Sequence, residues 1–129
     1  MAFQGKWNFD RVEKLAEFMK AVGAPAEAAN EAASLTGYVE YSQAGSSYTV
    51  KTVSSGGTIE RTFQFGKPFE MEFPGYGKKA MVVASDEGGK LVFKGDDITE
   101  TREIKGNAMV VTLTKPGVDI IGKCFLKKA

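Results

Sequence analysis

The sequence predicts an all-β domain of about ten antiparallel strands that carries a pair of short helices near its N-terminus. Three observations lead there. From Gly37 onward, short segments of alternating polarity recur at close intervals, separated by glycine- and proline-rich turns. Two segments with helical spacing lie between residues 14 and 35. The chain has 129 residues, 43% hydrophobic and 26% charged, which is enough for one core and not for two.

The first strand is expected around Gly5–Arg11. Leu15, Phe18, Met19 and Val22 then fall at the i, i+3, i+4, i+7 spacing of one apolar helical face, with Lys14, Glu17 and Lys20 mostly off it. Gly23 ends this helix, and Pro25 suits the first turn of a second. That second helix, Ala26 to about Leu35, is alanine-rich and buries little, so it reads as a cover.

Nine further strands are expected at Tyr38–Gln43, Ser47–Val53, Thr58–Phe65, Phe69–Phe73, Lys79–Ser85, Lys90–Lys94, Ile98–Ile104, Met109–Thr114 and Asp119–Lys127. The turns between them include Ala44-Gly45, Gly56-Gly57, Pro74-Gly75, Gly95-Asp96-Asp97 and Lys115-Pro116-Gly117. Connections this short favour antiparallel neighbours. So many strands either form two packed sheets or close into a barrel.

Alternation assigns faces. Glu100, Arg102 and Ile104 share one side of their strand, and Thr101, Glu103 and Lys105 the other. In the last strand the basic pair Lys123 and Lys127 takes the water, which turns Cys124 and Leu126 inward.

Composition narrows function. Lys+Arg 17 against Asp+Glu 16 gives a net charge of +1, without the basic excess that nucleic acid requires. The chain has no histidine and one cysteine. The missing histidine removes Ser-His and Cys-His nucleophile pairs and most zinc and haem sites. A lone cysteine makes no intrachain disulfide and fits a reducing compartment. With no apolar run for a signal peptide or a membrane span, the expectation is a soluble cytoplasmic binder without cofactor or metal.

Several segments, in order and spacing, resemble the intracellular lipid-binding proteins, the family of the fatty-acid-binding proteins. They are Phe3-Gln4-Gly5-Lys6-Trp7, Leu15 through Gly23, Phe63-Gln64-Phe65-Gly66, and Gly88-Gly89-Lys90-Leu91-Val92. Arg102-Glu103-Ile104 followed by Met109 through Thr114 completes the set. Met1-Ala2-Phe3 and Asp119-Ile120-Ile121-Gly122-Lys123 are closer to the liver and ileal branch. The resemblance implies one domain over residues 1–129: a ten-stranded antiparallel up-and-down barrel (a β-clam), with a helix-turn-helix lid over about 14–35. It also implies a monomeric, non-enzymatic carrier of a long-chain fatty acid or similar hydrophobic molecule. Bile-acid or retinoid carriage is the alternative within the family. A carboxylate-based lipid-processing enzyme built on Glu100 and Arg102 is a more distant one. A membrane-bridging role like that of the family's myelin relative is disfavoured by the near-neutral charge.

Many family members hold the ligand carboxylate with two arginines and a tyrosine. Arg102 falls on the first arginine position, where a planar guanidinium fork matches a carboxylate. The second position falls on Cys124 and the tyrosine position on Leu126, so both of those polar anchors are missing. Glu100, on the face of Arg102, opposes an anionic head group, whether protonated, paired with Arg102 or turned away. Phe63, Ile104, Val111, Leu113 and Leu126 are expected to line the interior, with Met19 and Val22 beneath the lid and Leu15 beside them. Glycine in the turn Ser55-Gly56-Gly57, where the family often places a phenylalanine gate, implies a looser portal. Arg11, Lys14 and Lys20 offer a transient contact with anionic membranes, although Glu13 and Glu17 offset them and favour a solvated face.

Overall fold

A computed structural model describes residues 3–33, 36–54, 57–72, 79–95 and 98–129. The first strand, β1 (Gly5–Glu13), runs into two short helices, α1 (Leu15–Ala21) and α2 (Ala26–Ala33). The other nine strands follow without interruption. They are β2 (Gly37–Ala44), β3 (Ser47–Ser54), β4 (Gly57–Phe63), β5 (Pro68–Glu72), β6 (Lys79–Glu87), β7 (Lys90–Gly95), β8 (Thr99–Lys105), β9 (Ala108–Thr114) and β10 (Gly122–Lys128). All ten form one sheet in the order β4-β3-β2-β1-β10-β9-β8-β7-β6-β5. Consecutive strands pair antiparallel except β4 and β5, which end the order, and β1 joins β10 antiparallel. That join curls the sheet into a nearly closed barrel, the up-and-down fold expected above.

β1 spans two partners. Its first half pairs with β2 (Trp7 opposite Val39) and its second with β10 (Val12 opposite Cys124), with a register shift between Phe9 and Arg11. A shift of this kind bends a strand locally, which suits the place where the barrel closes. The strands at the two ends of the sheet order, β4 and β5, are bridged by rings. Phe63 stacks on Phe69 at 5.5 Å and meets Phe93 edge-on at 5.1 Å.

The lid helix buries the face that the spacing picked out: Leu15, Phe18, Met19 and Val22 are all buried. Gly23 closes it at φ 93°, donating its N–H to the Lys20 carbonyl at 3.1 Å. α1 lies on the start of β10, where Gly122 allows the approach. A Cβ there would sit 3.1 Å from Phe18 Cβ and 3.3 Å from Leu15 Cδ1.

Two strands fall short of the expectation by two residues or more, while β1 and β6 each run two residues past it, to Glu13 and Glu87. The last strand begins at Gly122, not Asp119. Gly122 pairs with Leu113 and β9 ends at Thr114, so the residues before it have no strand to pair with. The fourth strand ends at Phe63, because Gly66 at φ 78° turns the chain toward β5. Phe73, Leu35, the Met1-Ala2 start, the Pro74-Gly75 and Asp96-Asp97 turns, and Ser55-Gly56 of the portal turn lie outside the described residues.

Candidate functional site

Inward rows of the ladder meet across the barrel. On one wall Tyr41, Val50 and Arg61 are register partners across β2, β3 and β4. On the other, Phe93, Glu100 and Leu113 form one row and Leu91, Arg102, Val111 and Cys124 the next. Because side chains alternate along a strand, each row presents its residues to the same interior. Between the walls lies a cavity capped by Leu15, Phe18 and Met19 of the lid. Its sides are apolar, including Val39, Val111, Leu113 and Leu126. Its polar residues are Thr52, Glu100 and Arg102. The cavity volume is about 70 Å³.

The polar patch is a charge cluster that satisfies itself. Arg102 donates from Nε to Glu100 Oε2 at 2.7 Å, and from Nη1 to the Tyr41 hydroxyl. Tyr41 in turn donates to the Met109 sulfur at 3.4 Å. Arg61 reaches the same carboxylate from β4, with Nη1 2.9 Å from Oε2 and Nη2 3.4 Å from Oε1. The Arg61 and Glu100 side chains are each 4% exposed and that of Arg102 is 6%. No buried side-chain nitrogen or oxygen among the described residues lacks a partner.

Burial alone would raise the Glu100 pKa. Arg102 and Arg61 override it and hold the carboxyl down at about 2, so Glu100 is ionised at neutral pH. Burial works against the charge of Arg102 as well, and the Glu100 carboxylate more than offsets that, raising its pKa. Burial raises the Tyr41 pKa despite the guanidinium beside it. It pushes Cys124 up to about 12, leaving a neutral thiol.

The structure brings six of the expected site residues to the cavity: Arg102, Cys124, Leu126, Val111, Leu113 and Met19. Three lie away from its lining. Phe63 sits in the aromatic cluster between β4 and β5. Ile104 is a partly buried residue at the Met109 end of β8. Val22 is buried at the end of α1. Of the open alternatives for Glu100, the paired one holds, with Arg61 as a second partner.

Sequence reasoning missed Arg61 and Tyr41, and each had a signal. Arg61 shares the parity of Ile59 and Phe63, and Tyr41 that of Val39, so alternation turned both inward with apolar neighbours. Phe9, Val39, Thr52 and Ile98 also line the cavity without having been expected. On the lid's flank, Arg11 is tied to Glu13 at 2.6 Å and lies 3.8 Å over the Phe125 ring. No group of three or more Cys, Asp or Glu suited to a metal ion occurs among the described residues. No described helix is long and apolar enough to cross a membrane.

Residues 1–123 match the family described as "Lipocalin / cytosolic fatty-acid binding protein family". Gastrotropin of Oryctolagus cuniculus is 34% identical over 119 residues, 92% of each chain. The liver fatty acid-binding protein of Schroederichthys bivius is 29% identical over 123 residues, 95% of this chain and 97% of its own. Among solved structures, the wild-type fluorescent protein UnaG superposes with a TM-score of 0.84 at 30% identity, over 99% of this chain and 98% of its own. The Schistosoma mansoni fatty acid binding protein in complex with arachidonic acid gives 0.89 at 22% identity, over 99% and 96%. At that identity the last likeness speaks for the fold.

Proposed function

This chain belongs to the lipocalin / cytosolic fatty-acid binding protein family, and from that premise we propose that it is a non-enzymatic carrier that reversibly holds a long-chain fatty acid or similar hydrophobic molecule inside the barrel. The observation that carries this reading is the largely apolar cavity under α1 with the polar pair Glu100 and Arg102 in its lining. The tail lies along Val111, Leu113 and Leu126 beneath Phe18 and Met19, and the polar end meets Arg102.

Burial of methylenes supplies the affinity. At roughly 0.8 kcal/mol each, a dozen give about 9–10 kcal/mol before ordering costs, which reaches micromolar binding without a perfect head-group clamp. Enzymatic use of Glu100 is disfavoured, because a carboxyl held at about 2 is a poor proton donor or acceptor near neutral pH. In this reading the chain works as a cytoplasmic monomer. Lys14 and Lys20 are exposed on the lid, available for transient contact with an anionic membrane. Titration calorimetry with dodecanoic acid and with 1-dodecanol tests the reading: saturable one-to-one binding in the micromolar range is expected for at least one of them, and no saturable heat from either would refute it.

A further inference from the structure

The polar patch already contains the carboxylate that a fatty acid would bring. Glu100 lines the cavity beside Arg102, takes the Arg102 Nε–H at 2.7 Å, and is gripped from behind by Arg61, which does not line the cavity. The Tyr41 hydroxyl is also occupied, accepting from Arg102 and donating to Met109. An incoming molecule therefore meets an ion pair, not an open cation. Its head group feels the attraction of Arg102 and the repulsion of Glu100 at similar range, in a site shielded from water where both are strong. Cys124 and Leu126 add no further charge to the lining.

We propose that Glu100 is a specificity-determining residue that sets the cavity to prefer a lipid with an uncharged head group able both to accept and to donate a hydrogen bond, a primary amide or an alcohol, over a carboxylate. This deepens the carrier reading and rests on it. An amide carbonyl or alcohol oxygen accepts from the guanidinium N–H groups of Arg102, and the amide N–H or hydroxyl donates to Glu100. The pair presents one donor surface and one acceptor surface side by side, and such a head group satisfies both. A carboxylate has only acceptors and meets a like charge; an ester has an acceptor and leaves Glu100 without a new donor.

Four twelve-carbon probes distinguish these cases by titration calorimetry at pH 7.4: dodecanamide, 1-dodecanol, methyl dodecanoate and dodecanoic acid. The amide and the alcohol are expected to bind at least fivefold more tightly than the ester and the acid. In Glu100→Gln the ratio of amide to acid affinity is expected to fall at least tenfold, because the acid gains when the internal carboxylate is neutralised. The change in that ratio between the two proteins cancels the different water solubilities of the probes. If the acid binds as tightly as the amide in the unmodified protein, or the ratio is unchanged in Glu100→Gln, the proposal is wrong. Should the variant not fold, the amide-to-ester ratio in the unmodified protein decides, since both probes are neutral. If none of the four binds, the carrier reading itself fails, which separates the two claims.

Discussion

Replacing Arg61 by methionine removes one arm of the buried cluster while keeping a side chain of similar length. In the native protein Arg61 places two N–H groups on Glu100, at 2.9 and 3.4 Å, and both side chains are almost sealed from water. Breaking such a pair by deleting one partner costs about 3–5 kcal/mol, because the surviving charge stays buried with less compensation. Glu100 keeps its 2.7 Å bond to Arg102, so the lower end applies, about 3 kcal/mol. Urea denaturation at pH 7 followed by tryptophan fluorescence measures it, and the midpoint should fall with the slope unchanged. A double-mutant cycle with Glu100→Gln isolates the pair and should return a coupling of about 1–3 kcal/mol. A loss below about 1 kcal/mol, or strictly additive single effects, would refute the description of this cluster as a sealed, mutually dependent unit.

Acid should act on the same cluster. The Glu100 pKa falls from 4.5 to about 2 on folding, so its contribution, about 3 kcal/mol, is present above pH 4.5 and is lost as pH falls toward 2. Stability measured across that window should drop more steeply in the unmodified protein than in Glu100→Gln; equal slopes would count against it. Gly122→Ala drives a methyl into Phe18 and Leu15, at 3.1 and 3.3 Å, and should destabilise by about 1–3 kcal/mol while speeding amide exchange in α1. Unchanged exchange at Phe18 and Met19 would show that α1 does not rest on β10 as described. Cys124, pushed from 9.0 up to about 12, should react with iodoacetamide at pH 8 about a thousandfold more slowly folded than unfolded. Comparable rates would place the thiol outside the sealed interior.

The strand pattern was largely legible because period-two alternation and turn chemistry are local properties. Cys124 and Leu126 could be turned inward from parity, and the lid face from its helical spacing, whereas parity only grouped Glu100 with Arg102, because both faces of β8 carry polar residues. The Arg61–Glu100 bond was not legible, since it joins β4 to β8 across the barrel and depends on how far the sheet curls. Parity places Arg61 inside but says nothing of which residue it will meet there. The start of β10 was misread for a similar reason: Asp119, Ile120 and Ile121 look like strand, and only the end of β9 at Thr114 denies them a partner. Phe63 carries the parity of a lining residue, yet it is drawn into the ring cluster with Phe69 and Phe93, a contact between strands that no local pattern encodes.

The central claim is that the barrel interior is the binding site. A crystal structure of the protein with dodecanoic acid tests it most directly. The account predicts one alkyl chain under Phe18 and Met19, along Val111 and Leu126, with its polar end within hydrogen-bond distance of Arg102. A ligand bound on the outer surface, or an interior left unfilled at saturating concentration, would contradict it.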